Sequence, residues 1–103
     1  MGSFRFSRRA DEDLDNIGVY TFRTWGEDQT DRYIGQLEDC CQLLADNPGM
    51  GRLCEEVRPG LNRMEHAKHV VFYRVEPGGV LICRILHERM MPERQSIDDD
   101  DLQ

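Results

Sequence analysis

The chain has 103 residues, of which 39% are hydrophobic and 32% charged, and its formal net charge is −7. This length fits one domain with one modest core, and the composition is that of a soluble globular protein. The acidic balance argues against a nucleic-acid binder, and no apolar run approaches the roughly 20 residues that a membrane span requires.

The first half of the chain predicts a short strand followed by two helices. Phe4-Arg5-Phe6 alternates apolar and charged residues as a strand does, Ser7 is a suitable N-cap, and Gly26 is placed to end the first helix. The helical stripes are Ala10, Leu14, Ile17, Thr21 and Trp25, then Thr30, Tyr33, Ile34, Leu37, Cys41, Leu44 and Ala45. Because only two or three residues separate the helices, we expect an antiparallel hairpin that ends at Asn47-Pro48-Gly49.

Strand patterns dominate the second half. Residues 48–60 are rich in Gly and Pro and predict a loop, and residues 61–64 allow a strand. Residues 69–75 are β-branched and aromatic, and the turn Pro77-Gly78-Gly79 joins them to a further strand at residues 80–86. The order β-α-α-β-β-β predicts an α+β fold, with the helical hairpin packed on one face of an antiparallel sheet.

The end of the chain and its cysteines suggest no further chemistry. Residues 92–103 include four consecutive acids, Asp98 to Asp101, and we expect a disordered acidic tail after a domain of residues 1–91. The four cysteines form no C-x-x-C pair and match no zinc pattern, so we expect buried free thiols, no metal and no cofactor. The N-terminus lacks the apolar region of a secretion signal, which favours the cytoplasm.

Six stretches, taken together in order and spacing, resemble the ParE branch of the RelE/ParE toxin superfamily. They are Phe6-Ser7-Arg8-Arg9-Ala10 with Asp13-Leu14-Asp15-Asn16-Ile17, Arg23-Thr24-Trp25-Gly26-Glu27-Asp28-Gln29, Asn47-Pro48-Gly49-Met50-Gly51, Arg58-Pro59-Gly60, His69-Val70-Val71-Phe72-Tyr73-Arg74-Val75 and Ile85-Leu86-His87-Glu88-Arg89-Met90. The resemblance implies the RelE/ParE toxin fold and a toxin of a type II toxin–antitoxin system that inhibits DNA gyrase. It also implies a ParD-type antitoxin that folds on the toxin, in heterotetramers or larger complexes, and that makes the only contact with DNA.

RelE relatives cut messenger RNA with the same fold, which is the alternative reading. Such cleavage needs a general base, a general acid and cations for the phosphate. A minimal site would draw on Arg63, His69, Arg84 and His87, but Arg84 and His87 are three apart on a strand and point to opposite faces unless a bulge intervenes. We therefore expect a protein-binding inhibitor with no catalytic residues; a non-toxic partner-binding remnant is a third reading.

Two sets of contact residues are expected. For the antitoxin, the edge strand offers Phe4 and Phe6, the helices offer Phe22, Trp25 and Tyr33, and the acids of the antitoxin would meet Arg58, Arg63, Arg74 and Arg84. As an alternative, these arginines would form ion pairs with Glu55, Glu56 or Glu65 within the fold. Trp25 also has an alternative, because it falls on the core stripe of its helix. For the toxin's target, the resemblance points to the strand exit, His87, Glu88, Arg89 and Met90.

Overall fold

The structure, a computed structural model, describes residues 2–95 and 97. Its elements are β1 (Ser3–Phe6), α1 (Arg8–Trp25), α2 (Glu27–Asp46), a 3-10 turn (Pro48–Met50), β2 (Arg52–Leu53), β3 (Asn62–His66), β4 (His69–Glu76), β5 (Gly79–His87) and a second 3-10 turn (Pro92–Arg94). No helix within the described residues has both the length and the apolar character needed to cross a membrane.

The strands form one mostly antiparallel sheet in the order β1-β5-β4-β3-β2, which confirms the predicted α+β class. Two details differ from the expectation. The segment predicted as a loop contributes a two-residue edge strand, β2, which pairs with β3. In addition, β1 pairs with β5 in parallel, with Phe4 opposite Val80. A three-residue alternation gives a strand but not its partner, so the sequence pattern left this direction unspecified.

Both ends of α1 are fixed by the residues that the sequence analysis identified. The Ser7 hydroxyl accepts a hydrogen bond from the Ala10 N–H and donates one to the Cys83 carbonyl, so the N-cap also ties the helix to β5. Gly26 has φ of 89° and ends α1 with its N–H on the Phe22 carbonyl. Since α2 begins at the next residue, this glycine alone makes the hairpin connection.

The sheet is buried on both faces rather than one. On the helix side, Val71, Tyr73, Val80, Ile82 and Ile85 pack against the stripes of α1 and α2. On the opposite side, Val70, Phe72, Leu81, Cys83 and Leu86 pack against Cys54, Val57, Leu61 and Ile97. The segment between β2 and β3 therefore covers the face that the sequence analysis left open, which explains why β4 and β5 read as nearly continuous apolar runs.

The prediction of buried free thiols is confirmed, because Cys40, Cys41, Cys54 and Cys83 are all buried and unpaired in disulfides. Burial, with Cys40 and Glu38 nearby, raises the pKa of the Cys41 thiol to about 12. Cys40 lies one helical step away and is also buried, so both thiols belong to the helix-side core.

The described part of the expected tail takes part in the fold. Pro92–Arg94 forms a 3-10 turn, and Ile97 is 1% exposed within the second core. A core role for Ile97 is not predictable from its surroundings, because a single isoleucine in an acidic stretch carries no periodicity. The predicted acidic run Asp98 to Asp101 lies outside the described residues.

Candidate partner-binding site

A cleft opens between the helical hairpin and the end of the sheet where β4 begins and β5 ends. Its volume is about 760 Å³, and its walls come from α1, α2, the β3–β4 turn and the segment after β5. We name it the end cleft. The lining residues that matter below are Tyr20, Trp25, Tyr33, Lys68, His69, His87 and Met90.

The floor of the end cleft holds a hydrogen-bonded tyrosine and histidine. The Tyr33 hydroxyl lies 2.6 Å from His69 Nδ1. Burial, together with His87 and His66, lowers the pKa of His69, which Glu88 and Asp13 oppose. Burial raises the pKa of Tyr33. Both groups are therefore neutral near pH 7, and the bond between them fixes the His69 ring against α2.

Strand pairing brings the second histidine to the same floor. His69 is the register partner of His87 across β4 and β5, and their rings meet edge to face at 5.5 Å between centroids. A bulge at Cys83 sets this register, because Phe72 pairs with Arg84 whereas Tyr73 pairs with Ile82. The bulge precedes Arg84 and does not fall between Arg84 and His87.

Large exposed apolar side chains form the rim of the end cleft. Trp25 is 69% exposed, Tyr20 is 68% exposed and Met90 is 42% exposed. The expectation that Trp25 completes the core stripe of α1 is wrong, since the last buried residue of that stripe is Thr21. Trp25 is the final residue of α1 and lines the cleft beyond the packed core. Helical periodicity alone does not show that the sheet has ended at this point.

Arg84 is not a surface anchor, which corrects its assignment to the antitoxin contacts. Arg84 is 9% exposed. Its guanidinium donates two hydrogen bonds to the Asp13 carboxylate, from Nε to Oδ2 at 2.8 Å and from Nη2 to Oδ1 at 2.9 Å. Asp13 Oδ2 also accepts the Ile85 N–H at 2.9 Å, at a point where β1 no longer covers the edge of β5. The Asp13–Arg84 pair is a structural clamp between α1 and β5. The acid that pairs with Arg84 is therefore Asp13 and not one of the glutamates expected from the sequence.

A second, smaller groove of about 560 Å³ runs along the outer side of the helical hairpin. We name it the hairpin groove. Its lining residues are Leu14, Asp15, Gly18, Val19, Phe22, Arg23, Thr30 and Ile34. Phe22 is 57% exposed here, as its position off the core stripe indicated, but it does not share a cavity with Trp25.

Arg58, Arg63 and Arg74, the other three arginines predicted to contact the antitoxin, lie at the sheet face that packs against the segment between β2 and β3. The Arg63 guanidinium sits over the Phe72 ring at 5.6 Å and pairs with Glu65, as the structural alternative had it. Arg74 donates to the Pro59 carbonyl and Arg58 to the Val57 carbonyl, so both bind the segment that covers this face. In the part of the chain that the structure describes, none of these three arginines lines the end cleft or the hairpin groove.

The two phenylalanines of β1 are partly buried against the helix-side core, with ring centroids 5.4 Å apart. The side chains of Phe4 and Phe6 therefore pack in the protein's own core. β1 is nevertheless an edge strand of the described sheet, as predicted, so its backbone is the part that an added strand would use.

The residues after β5 form a tight turn beside the end cleft. Glu88 donates its N–H to the Lys68 carbonyl at 2.7 Å, and Met90 donates to the His87 carbonyl at 2.9 Å. The Arg89 N–H lies 3.2 Å from His87 Nδ1. The side chains of Glu88 and Arg89 are exposed, and Met90 turns toward the rim.

The end cleft thus unites members of two sets that sequence reasoning kept apart. Trp25 and Tyr33 were assigned to the antitoxin, and His87 and Met90 to the target. Tyr20 and Lys68 were missed. Lys68 lies in the short turn between β3 and β4, and Tyr20 lies one position before the stripe residue Thr21, so spacing gives no signal for either.

The groups for RNA cleavage come together only in part. His69 and His87 share the end cleft, whereas Arg84 is bound to Asp13 and Arg63 stacks on Phe72. Lys68 is the single lysine or arginine among the cleft-lining residues that the structure describes. A cleft with one cation is poorly equipped to stabilise the phosphate charge of that reaction.

Comparisons with known proteins agree with the fold. The family model described as "ParE toxin of type II toxin-antitoxin system, parDE" matches residues 4–92. "Toxin ParE1" of Caulobacter vibrioides is 42% identical over 90 residues, covering 87% of this chain and 93% of that protein. "Toxin ParE1" of Mycobacterium tuberculosis is 36% identical over 92 residues, covering 88% of this chain and 94% of that protein.

A solved structure adds a three-dimensional match. The chain titled "Chromosomal ParDE TA system from P. aeruginosa" superposes with a TM-score of 0.70 at 25% identity, over 84% of this chain and 96% of that one. Fold, family match and close relatives all agree, and this chain belongs to the ParE toxin family of type II toxin–antitoxin systems.

Proposed function

We propose that this toxin binds and inhibits DNA gyrase through the end cleft, and that a ParD-type antitoxin neutralises it by occupying the same cleft. The single observation that carries the proposal is the convergence of Trp25 and Tyr33 with His87 and Met90 in one open cavity. Exposed aromatic and methionine side chains are typical of protein-binding surfaces. A cleft shared in this way makes neutralisation a matter of direct competition.

Inhibition by binding, without catalysis, follows from the same cleft. His69 and His87 are register partners whose rings pack edge to face, and Arg84 is held by Asp13, which supports inhibition without catalysis. Gyrase is a cytoplasmic enzyme, so the toxin acts there, and contact with DNA is made through the antitoxin. The antitoxin complex is a heterotetramer or larger assembly.

A supercoiling assay tests the target. Purified toxin should block supercoiling of relaxed plasmid by gyrase, and a stoichiometric amount of the antitoxin from the same operon should restore it. Trp25→Ala should weaken inhibition, whereas Arg23→Gln, in the hairpin groove, should retain it. Full supercoiling at a large molar excess of toxin would reject gyrase as the target.

A parallel assay separates the RNA-cutting alternative. The toxin is incubated with ribosomes carrying a defined message, and the message is mapped for cuts. The proposal expects an intact message. Codon-specific cuts that disappear in His87→Ala would reassign the protein to the ribonuclease branch.

Charge reversal of the three sheet-side arginines tests whether they also bind the antitoxin's acids. Arg58→Glu, Arg63→Glu and Arg74→Glu should each weaken antitoxin binding by about 2–5 kcal/mol if the arginine forms a buried pair in the complex. Arg32→Glu is the control, because Arg32 is exposed on α2 and its guanidinium donates a hydrogen bond to Gln29 of the same helix. Calorimetric titration that gives the parent affinity for all three variants would restrict recognition to the clefts.

A further inference from the structure

The hydrogen bonds around the end cleft determine which nitrogen of each histidine is left for a ligand. The Tyr33 hydroxyl lies 2.6 Å from His69 Nδ1, so this nitrogen is engaged within the fold. Nε2 is the ring nitrogen of His69 that remains for a ligand, and it acts as a donor whenever it bears a hydrogen.

The same reasoning applies to His87. Its Nδ1 accepts the Arg89 backbone N–H at 3.2 Å, which leaves the hydrogen on Nε2. The described residues provide no hydrogen-bond acceptor for the Nε2–H of either histidine. Both rings line the end cleft with their centroids 5.5 Å apart, and each holds its Nδ1 in a hydrogen bond within the fold.

Charge around these donors favours an anion in spite of the chain's net charge of −7. Lys68 lines the cleft beside His69. The carboxylate of Asp13 also lines it, but it pairs with Arg84 and accepts the Ile85 N–H, so the Arg84 guanidinium offsets its charge. Glu88 is the one competing acid of the adjoining turn, and its side chain is exposed to solvent.

We infer that the end cleft recognises a peptide segment in which a carboxylate stands next to an aromatic or long aliphatic side chain. The carboxylate receives the two Nε2–H donors and the Lys68 ammonium, and the apolar side chain packs between Tyr20, Trp25 and Met90. The inference rests on the proposed function only in that the partner protein supplies this segment.

Two matched peptides test this chemistry. The full chain, labelled with ¹⁵N, is titrated with acetyl-Leu-Glu-Phe-amide and with acetyl-Leu-Gln-Phe-amide, and resonances of the histidine rings and the Trp25 indole are followed. Charge-assisted hydrogen bonds are worth about 1.5–3 kcal/mol, so the glutamate peptide should bind at least about tenfold more tightly. Its affinity should rise from pH 7.5 to pH 6, because a bound carboxylate favours the protonated form of His69.

Variants separate recognition from folding. Lys68→Met and Tyr33→Phe should each reduce the preference for glutamate over glutamine about threefold or more, the second by removing the hydroxyl that engages His69 Nδ1. Arg23→Met removes one positive charge from the hairpin groove and should leave the preference unchanged. Equal affinity for the two peptides, no saturable shift up to about 10 mM, or shifts centred on the hairpin groove would each overturn the inference.

The two proposals fail separately. A toxin that inhibits gyrase but does not distinguish the peptides keeps its proposed target and loses this recognition chemistry. A toxin that prefers the glutamate peptide but leaves gyrase active keeps the recognition site and loses the proposed target.

Discussion

At the residue scale, the clearest commitment is the Asp13–Arg84 pair, whose side chains are 12% and 11% exposed. Removing one partner leaves a buried charge, so we expect Asp13→Ala to lower the free energy of unfolding by roughly 3–5 kcal/mol. The double variant Asp13→Leu with Arg84→Met should recover a large part of this loss. Urea unfolding measures both, and an Asp13→Ala variant within about 1 kcal/mol of the parent would show that the pair is not a clamp.

His69 gives a pH-dependent prediction with a definite sign. Its pKa is lowered in the folded state, so the unfolded chain takes up this proton first as the pH falls. The free energy of unfolding should therefore decline as the pH falls below about 6.5, the ordinary histidine value. His69→Gln should flatten that decline, measured by urea unfolding at a series of pH values.

The matched control is His66→Gln, which removes only the weakest of the three contributions that lower the His69 pKa. It should keep most of the slope. A slope that is the same in the parent and in His69→Gln would place the titration elsewhere in the molecule.

The functional residues were only partly predictable. Trp25, His87 and Met90 could be predicted as contact residues from their side-chain types. Their convergence in one cleft could not, because the position of His87 depends on a β-bulge. Counting from the turn, Glu76 pairs with Gly79, a residue sum of 155, which would set His69 against Leu86. The extra residue Cys83 raises the sum to 156 and brings His87 opposite His69. No periodicity marks a bulge of one residue, so the sequence could suggest the histidines but not their pairing.

At the element scale, the helices were the most predictable part, because caps and stripes are local. Ser7 and Gly26 bound α1 as their chemistry requires. The direction of β1 and the covering of the second sheet face depend on long-range pairing, and these the patterns did not specify.

Two glycines of the hairpin offer a matched test of the turn. An added Cβ would meet nothing within 4 Å at either Gly26 or Gly35, but only Gly26 has positive φ, +89°. Gly35→Ala, inside α2, should raise the free energy of unfolding by about 0.5–1 kcal/mol. Gly26→Ala should lower it by about 1 kcal/mol or more. Thermal unfolding that moved both variants in the same direction would contradict this account of the connection.

At the scale of the whole molecule, a ParE-family toxin carries an acidic helical hairpin and one open cleft at the end of its sheet. Residues 10–49 contain ten acids against two arginines, whereas the end cleft is lined by Lys68, His69 and His87. Two partners that both use this cleft of a small protein would exclude each other, since two interfaces of ordinary size cannot share it.

Competition for the end cleft is the central claim, and one binding measurement tests it most directly. Toxin immobilised through its C-terminus is exposed to gyrase alone, to antitoxin alone, and to gyrase after saturation with antitoxin, for the parent and for Trp25→Ala. We predict that antitoxin abolishes gyrase binding and that Trp25→Ala weakens both partners. Simultaneous binding of gyrase and antitoxin to the same toxin, with neither affected by Trp25→Ala, would contradict the account.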